Sequence, residues 1–146
     1  MIQELFTQNL FLPELKATTK KEAIEEMVAL LDQEGLLSDK GAYLQAVMDR
    51  ESEYSTGIGM GVAIPHGKSK GVTTPALVFA RSKAGVDFDS MDEKPSFLLF
   101  LVAVPEESAD THLKVLSSLS RKLMHQDVRE SLMNADSYEA IVQILE

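Results

Sequence analysis

His66 is the residue on which this sequence concentrates its chemistry. It stands in the stretch Gly57-Ile58-Gly59-Met60-Gly61-Val62-Ala63-Ile64-Pro65-His66-Gly67-Lys68-Ser69, and it is one of three histidines in 146 residues. Ile64 precedes a proline and is pushed toward extended backbone, Pro65 has a fixed φ, and Gly67 lets the chain turn at once. The histidine is therefore expected at a strand end and not on a helix. A neutral imidazole nitrogen is an adequate nucleophile near pH 7. Glycines on both sides permit close approach by a backbone or a bulky anion and leave amide N–H groups to face it. The residues alone support two readings: a histidine that receives a group from outside, and a structural histidine in a tight loop.

Familiar glycine motifs do not fit. Gly67-Lys68-Ser69 ends like a phosphate-binding P-loop, but the spacing requires the opening glycine at Val62. Gly57-x-Gly59-x-Gly61 lacks the final gap of a dinucleotide fingerprint. Asp87-x-Asp89 resembles the start of a calcium loop, but Met91 sits where an oxygen ligand belongs. The histidines carry no zinc-ligand spacing and there is no cysteine, so no metal and no cofactor are expected. A net charge of -9 argues against a nucleic-acid backbone as partner. No apolar run approaches the ~20 residues of a membrane helix and the N-terminus lacks a signal pattern, so a cytoplasmic protein without membrane insertion is expected.

The elements that must position His66 follow from pattern. Thr19 and Glu22 form a capping box ahead of Ala23, Ile24, Met27, Leu30 and Leu31, which recur at helical spacing until Gly35. Ser38 is read as the cap of a second helix, with Tyr43, Leu44, Val47 and Met48 on its apolar face, running out near Glu51. Pro75–Ala80 and Ser96–Val104 read as buried strands, and Lys83–Asp89 between them as a turn or short edge hairpin. Helix returns after Pro105, with Leu113, Leu116, Leu119, Leu123 and Met124 as its stripe, and Ser137 caps a last helix through Ile141 and Ile144. No linker divides these elements, so one α/β domain over residues 1–146 is expected.

Glu51, six intervening residues and then Ile58-Gly59-Met60-Gly61-Val62-Ala63-Ile64-Pro65-His66-Gly67 resembles the phosphorylation-site signature of type-2 enzyme IIA domains. These belong to the fructose/mannitol class of the bacterial phosphoenolpyruvate-dependent sugar phosphotransferase system. The resemblance continues through "GVDFDSMDEKP", "FLLFLVAVP" and the helix from Thr111-His112-Leu113-Lys114, and it covers essentially the whole chain.

The resemblance implies a single three-layer domain with a mixed β-sheet flanked by helices. It implies that His66 accepts a phosphoryl group on Nε2 from the phosphocarrier HPr and passes it to a cysteine of an enzyme IIB component. Such transfer rests mainly on in-line positioning and on donors for the equatorial oxygens. The fructose-specific branch is the nearest match, and a regulatory nitrogen-related enzyme IIA acting by protein binding is the alternative. With no cysteine and no membrane span, the chain resembles a free-standing IIA subunit whose IIB and IIC partners lie on other polypeptides. His112 matches the family's second histidine; in the first turn of its helix the dipole favours a neutral N–H donor to the phosphoryl oxygens. Arg50 matches a pocket arginine, with two roles open to it: binding phosphoryl oxygens or pairing with an acidic neighbour. Ser55, Thr56, Gly57, Gly59 and Gly67 are assigned to the loop that binds the phosphoryl group. Lys68 is either a steering charge or a solvated one. Glu51 belongs to the signature with no role beyond orienting Arg50 or His66, and His125 is read as structural.

Overall fold

A computed structural model of the chain describes residues 2–108 and 110–146; the side chains of Thr111 and His112 lie outside the described residues. Its centre is β6 (Ser96–Pro105), nearly all of it buried, because it is covered on both faces and paired along both edges. One edge pairs antiparallel with β5 (Ala76–Val86) and, beyond it, β1 (Phe11–Leu12) runs parallel to β5. Along the other edge run β3 (Val62–Ala63) and β4 (His66–Ser69), both parallel to β6, and β2 (Gly57–Gly59) closes the sheet antiparallel to β3. Burial on both faces is why β5 and β6 read as continuous apolar runs and not as alternating ones.

Helices cover the sheet in two groups, giving three layers. Helices α2 (Lys20–Gln33) and α3 (Lys40–Glu53) pack on each other, α2 against β5 and α3 against β4. The second group is α1 (Ile2–Leu5), α4 (Thr111–Leu123), α5 (Gln126–Asn134) and α6 (Tyr138–Leu145), in which α4 meets α5, and α6 meets both α5 and α1. Phe79 and Phe100 stack at 4.7 Å between centroids on adjacent strands, and Phe11 stacks on Phe79 from β1 at 5.6 Å. None of the helices among the described residues is long and apolar enough to cross a membrane.

The capping signals are realised with one substitution. Thr19 accepts from the Glu22 amide, and Ser137 from the Ala140 amide. At α3 the cap is Asp39, whose carboxylate accepts from the Ala42 amide at 3.0 Å, not Ser38. Ser38 instead donates its hydroxyl to Lys70 O, because the chain at Gly71 returns here and its carbonyl accepts from the Ser38 and Asp39 amides. Helix α3 also runs on to Glu53, past the expected end at Glu51.

The stretch Lys83–Asp89, expected as a turn or a short edge hairpin, is strand as far as Val86. β5 continues to Val86 across a bulge between Arg81 and Val86, where Gly85 takes φ 90° and its amide donates to the Ser82 hydroxyl. In α4 the buried face is Val115, Leu119 and Leu123, with Leu116 partly buried, while Leu113 is 57% and Met124 67% exposed. Leu113 precedes Val115 by about 200° of helical rotation, so both cannot face the sheet.

Candidate functional site

β3 and β4 are one strand interrupted at a single peptide. Ala63 pairs with Leu99 and His66 with Val102, so the register along β6 is unchanged across Ile64–Pro65. Pro65 has no N–H to give the ladder. Its carbonyl still accepts from Val102 N at 3.0 Å, while the Ile64 amide turns away to Thr56 O, also at 3.0 Å. The Ile64 carbonyl is thereby left on the imidazole's side of the chain, and His66 Nδ1 lies 2.9 Å from it. A carbonyl only accepts, so Nδ1 carries the hydrogen and Nε2 is the basic nitrogen of the neutral ring. The expected position of His66, at a strand end after a proline, is the observed one: it is the first residue of β4 and half-buried.

The residue after it is packed against α3. A Cβ on Gly67 would lie 2.9 Å from Val47 Cγ2 and 3.2 Å from both Tyr43 Cε1 and the Val47 amide nitrogen. Tyr43 is fully buried and donates its hydroxyl to Val102 O at 2.8 Å, the partner residue of His66 in β6. Burial pushes the Tyr43 phenol well above the ordinary tyrosine range.

The glycines at 57 and 59 do not give room to a ligand; the protein fills that room itself. A Cβ on Gly57 would lie 2.3 Å from Ser90 Oγ, and one on Gly59 3.3 Å from the Asp92 carboxylate. Gly59, Met60 and Gly61 all take positive φ, which makes the β2–β3 connection a tight reversal, and the Met60 amide donates to Asp92 at 3.0 Å. The loop hydroxyls are likewise spent inside the protein. Ser55 donates to Phe88 O and accepts from the Gly57 amide at 3.0 Å. Thr56, 4% exposed, donates its hydroxyl to Glu51 Oε2, and its amide donates to Glu51 Oε1 at 3.2 Å.

Glu51 therefore orients neither Arg50 nor the ring of His66 by direct contact in any bond the structure gives it; it holds Thr56. Its buried carboxylate is paired with Lys20 Nζ at 3.1 Å, and the same ammonium reaches Asp89 at 3.5 Å and lies 5.2 Å from the Phe88 ring centroid. Lys20 carried no signal in the sequence, because it is distant from the signature and looks like any lysine opening a helix. Arg50 donates Nη1 to Tyr54 O at 2.9 Å and stacks over the Tyr54 ring, closing the end of α3. Lys68 is exposed. The backbone of His112 is in the first turn of α4, as expected; its side chain lies outside the described residues. His125 is exposed at the start of α5 and its side chain makes no capping bond there.

Residues 4–146 match the family model described as "Phosphoenolpyruvate-dependent sugar phosphotransferase system, EIIA 2". The chain belongs to this family. Membership in EIIA 2 makes it a phosphotransfer component, and relatives of two kinds accompany it. The chain is 46% identical to the fructose-specific EIIA component of Haloferax volcanii, over 87% of this chain and 82% of that protein. It is 44% identical to the fructose-specific EIIABC component of Bacillus subtilis over 99% of this chain, but spans only 23% of that longer protein. Among solved structures, the nitrogen regulatory protein IIA-Ntr of Neisseria meningitidis superposes with a TM-score of 0.89 at 36% identity, covering 98% of this chain and 97% of that one. The complex of enzyme IIAMTL with phosphorylated enzyme IIBMTL from Escherichia coli contains a chain that superposes at 0.81 with 28% identity, covering 97% and 98%.

Proposed function

We propose that this EIIA chain is a phosphoryl carrier in which His66 accepts the group from the phosphohistidine of HPr and passes it to a cysteine of an enzyme IIB component, during fructose-type sugar uptake. The observation that carries the reading is His66 Nδ1 bound to Ile64 O at 2.9 Å, which leaves the basic Nε2 of a ring fixed at the head of β4. Nε2 attacks phosphorus as the phosphorus–nitrogen bond to the donor imidazole breaks, and the donor leaves with that electron pair. In the second step a thiolate attacks phosphorus, the Nε2–phosphorus bond breaks, and His66 returns to the neutral ring. His112, in the first turn of α4, and Arg50, at the end of α3, are the assigned donors to the phosphoryl oxygens. Gly67 gives the site its close packing on α3, and the 55–59 loop supports it through contacts inside the protein.

The fructose-specific relatives support the transport reading, and the mannitol complex supports an enzyme IIB partner by analogy. The close superposition on IIA-Ntr favours a second reading, a regulatory EIIA that carries the same phosphoryl group but acts by binding other proteins. Incubation with phosphoenolpyruvate, enzyme I and HPr, followed by intact-mass spectrometry, is expected to show one acid-labile phosphoryl adduct. A His66→Ala chain that still acquires the adduct refutes the acceptor. His112→Ala is expected to accept normally and to pass the group on slowly; an unchanged onward rate removes its role. Adding an enzyme IIB from a fructose system discharges the adduct under the transport reading and leaves it in place under the regulatory one.

A further inference from the structure

We infer that Glu51, with Lys20 as its counter-ion, is the positioning residue that sets the tautomer of His66, acting through Thr56 and Ile64; its meaning for transfer rests on His66 being the acceptor. The links are consecutive. Lys20 Nζ holds Glu51 Oε1 at 3.1 Å, and Glu51 takes both the amide and the hydroxyl of Thr56. The Thr56 carbonyl takes the Ile64 amide at 3.0 Å, and the Ile64 carbonyl takes His66 Nδ1 at 2.9 Å.

Two physical points make this more than a buried ion pair. The Ile64 amide faces the β2 side of the strand, while the position that faces β6 is Pro65, which has no N–H to give; the partner that directs the Ile64 amide is therefore Thr56 and not β6. Whatever fixes the Thr56 peptide therefore fixes the plane of the peptides leading into His66. A carboxylate whose side chain is 2% exposed is also costly to keep unless its charge and lone pairs are met, and here Lys20 supplies the charge and Thr56 two donors. Hydrogen bonds to Ser55 and packing at Gly57 anchor the adjoining residues to Phe88 and Ser90, so Thr56 is held from both sides.

The test is the tautomer of His66, read from imidazole nitrogen shifts of the full chain labelled with nitrogen-15, alongside the rate of phosphoryl uptake from phosphorylated HPr. The wild type is expected as Nδ1–H. Glu51→Ala is expected to move the tautomer ratio toward Nε2–H by about tenfold, the size one neutral hydrogen bond supplies. It should slow uptake on the order of tenfold with the half-saturating HPr concentration unchanged, as loss of orientation does. Glu51→Gln keeps an oxygen for the Thr56 amide and is expected to restore the tautomer. If Glu51→Ala lacks the dispersed spectrum of the wild type, Thr56→Val is read in its place, with a smaller shift in the same direction expected. A folded variant with the tautomer unchanged overturns the inference. Because the tautomer needs no phosphoryl donor, the two readings fail separately: no adduct on the wild type refutes the carrier, whereas an adduct with a tautomer indifferent to Glu51 refutes the positioning.

Discussion

Gly67→Ala tests whether the packing behind His66 is as tight as the structure makes it. The residue is buried in β4, and its new methyl would stand 2.9 Å from Val47 Cγ2, 3.2 Å from Tyr43 Cε1 and 3.2 Å from the Val47 amide nitrogen. Val47 is stiff at χ1, Tyr43 is pinned by its hydroxyl to Val102 O, and the third neighbour is the helix backbone itself. None of the three can yield alone, so β4 and α3 must separate by a few tenths of an ångström. The φ of Gly67 is not in the left-handed region, so alanine gains about 0.4–1 kcal/mol from the restricted unfolded chain. Overpacking costs about 1–3 kcal/mol, which wins, for a net loss of about 1–2 kcal/mol. Urea unfolding is expected to show a lower midpoint with unchanged slope. Val47→Ala added to Gly67→Ala should recover about 1 kcal/mol relative to the sum of the single changes. Uptake of phosphoryl by His66 should also slow, since the strand that moves begins with it. A midpoint at or above that of the wild type would show instead that α3 gives way at no cost.

Arg81→Met should cost about 2 kcal/mol, seen as a thermal midpoint lower by about 4–8 °C, because Arg81 Nη1 donates to the carbonyls of Leu132, Met133 and Ala135 at the end of α5; an unchanged midpoint would show those carbonyls to be equally served by water. Burial keeps the Tyr43 phenol neutral well above the ordinary tyrosine range, so its contribution to stability is present below that range and is lost as pH rises above it. An ultraviolet titration should show Tyr43 ionising only on alkaline unfolding, and its ionisation in the still-folded protein would contradict this. The amides of Lys94 and Met60 hold the Asp92 carboxylate below the usual aspartate range, so what it adds is present above that range and is lost as pH falls through its own lower value. The Met60 and Lys94 amide shifts should titrate together with a midpoint below that of ordinary aspartates; a midpoint at the ordinary value rules the bonds out.

Local rules carried far in this chain. Capping at Thr19 and Ser137, the continuous apolar runs of β5 and β6, and the extended, proline-led approach to His66 are each decided by a few neighbouring residues, and each is found where the pattern puts it. Misreadings arose where a competing partner comes from elsewhere. Asp39 displaces Ser38 as a cap because the chain at residues 70–71 packs beside it, and a turn signal at Lys83–Asp89 is overridden by pairing with β6 across a bulge. The short α1 and β1 are of the same kind, since β1 is made by its pairing with β5.

At the site, the backbone that leads to His66 follows from its sequence neighbours alone, because proline and glycine act on dihedral angles without reference to the rest of the fold. How the surrounding polar groups are used is settled by contacts from distant parts of the chain. The hydroxyls of Ser55 and Thr56 and the space at Gly57 are consumed by Phe88, Glu51 and Ser90, residues up to 33 positions away. The lysine that neutralises Glu51 comes from the opening of another helix. A glycine's empty side or a hydroxyl's hydrogen is offered by the residue type. Which atom takes it depends on what the fold brings within 3 Å or so, and hydrogen bonds and close packing both fall away steeply beyond that distance.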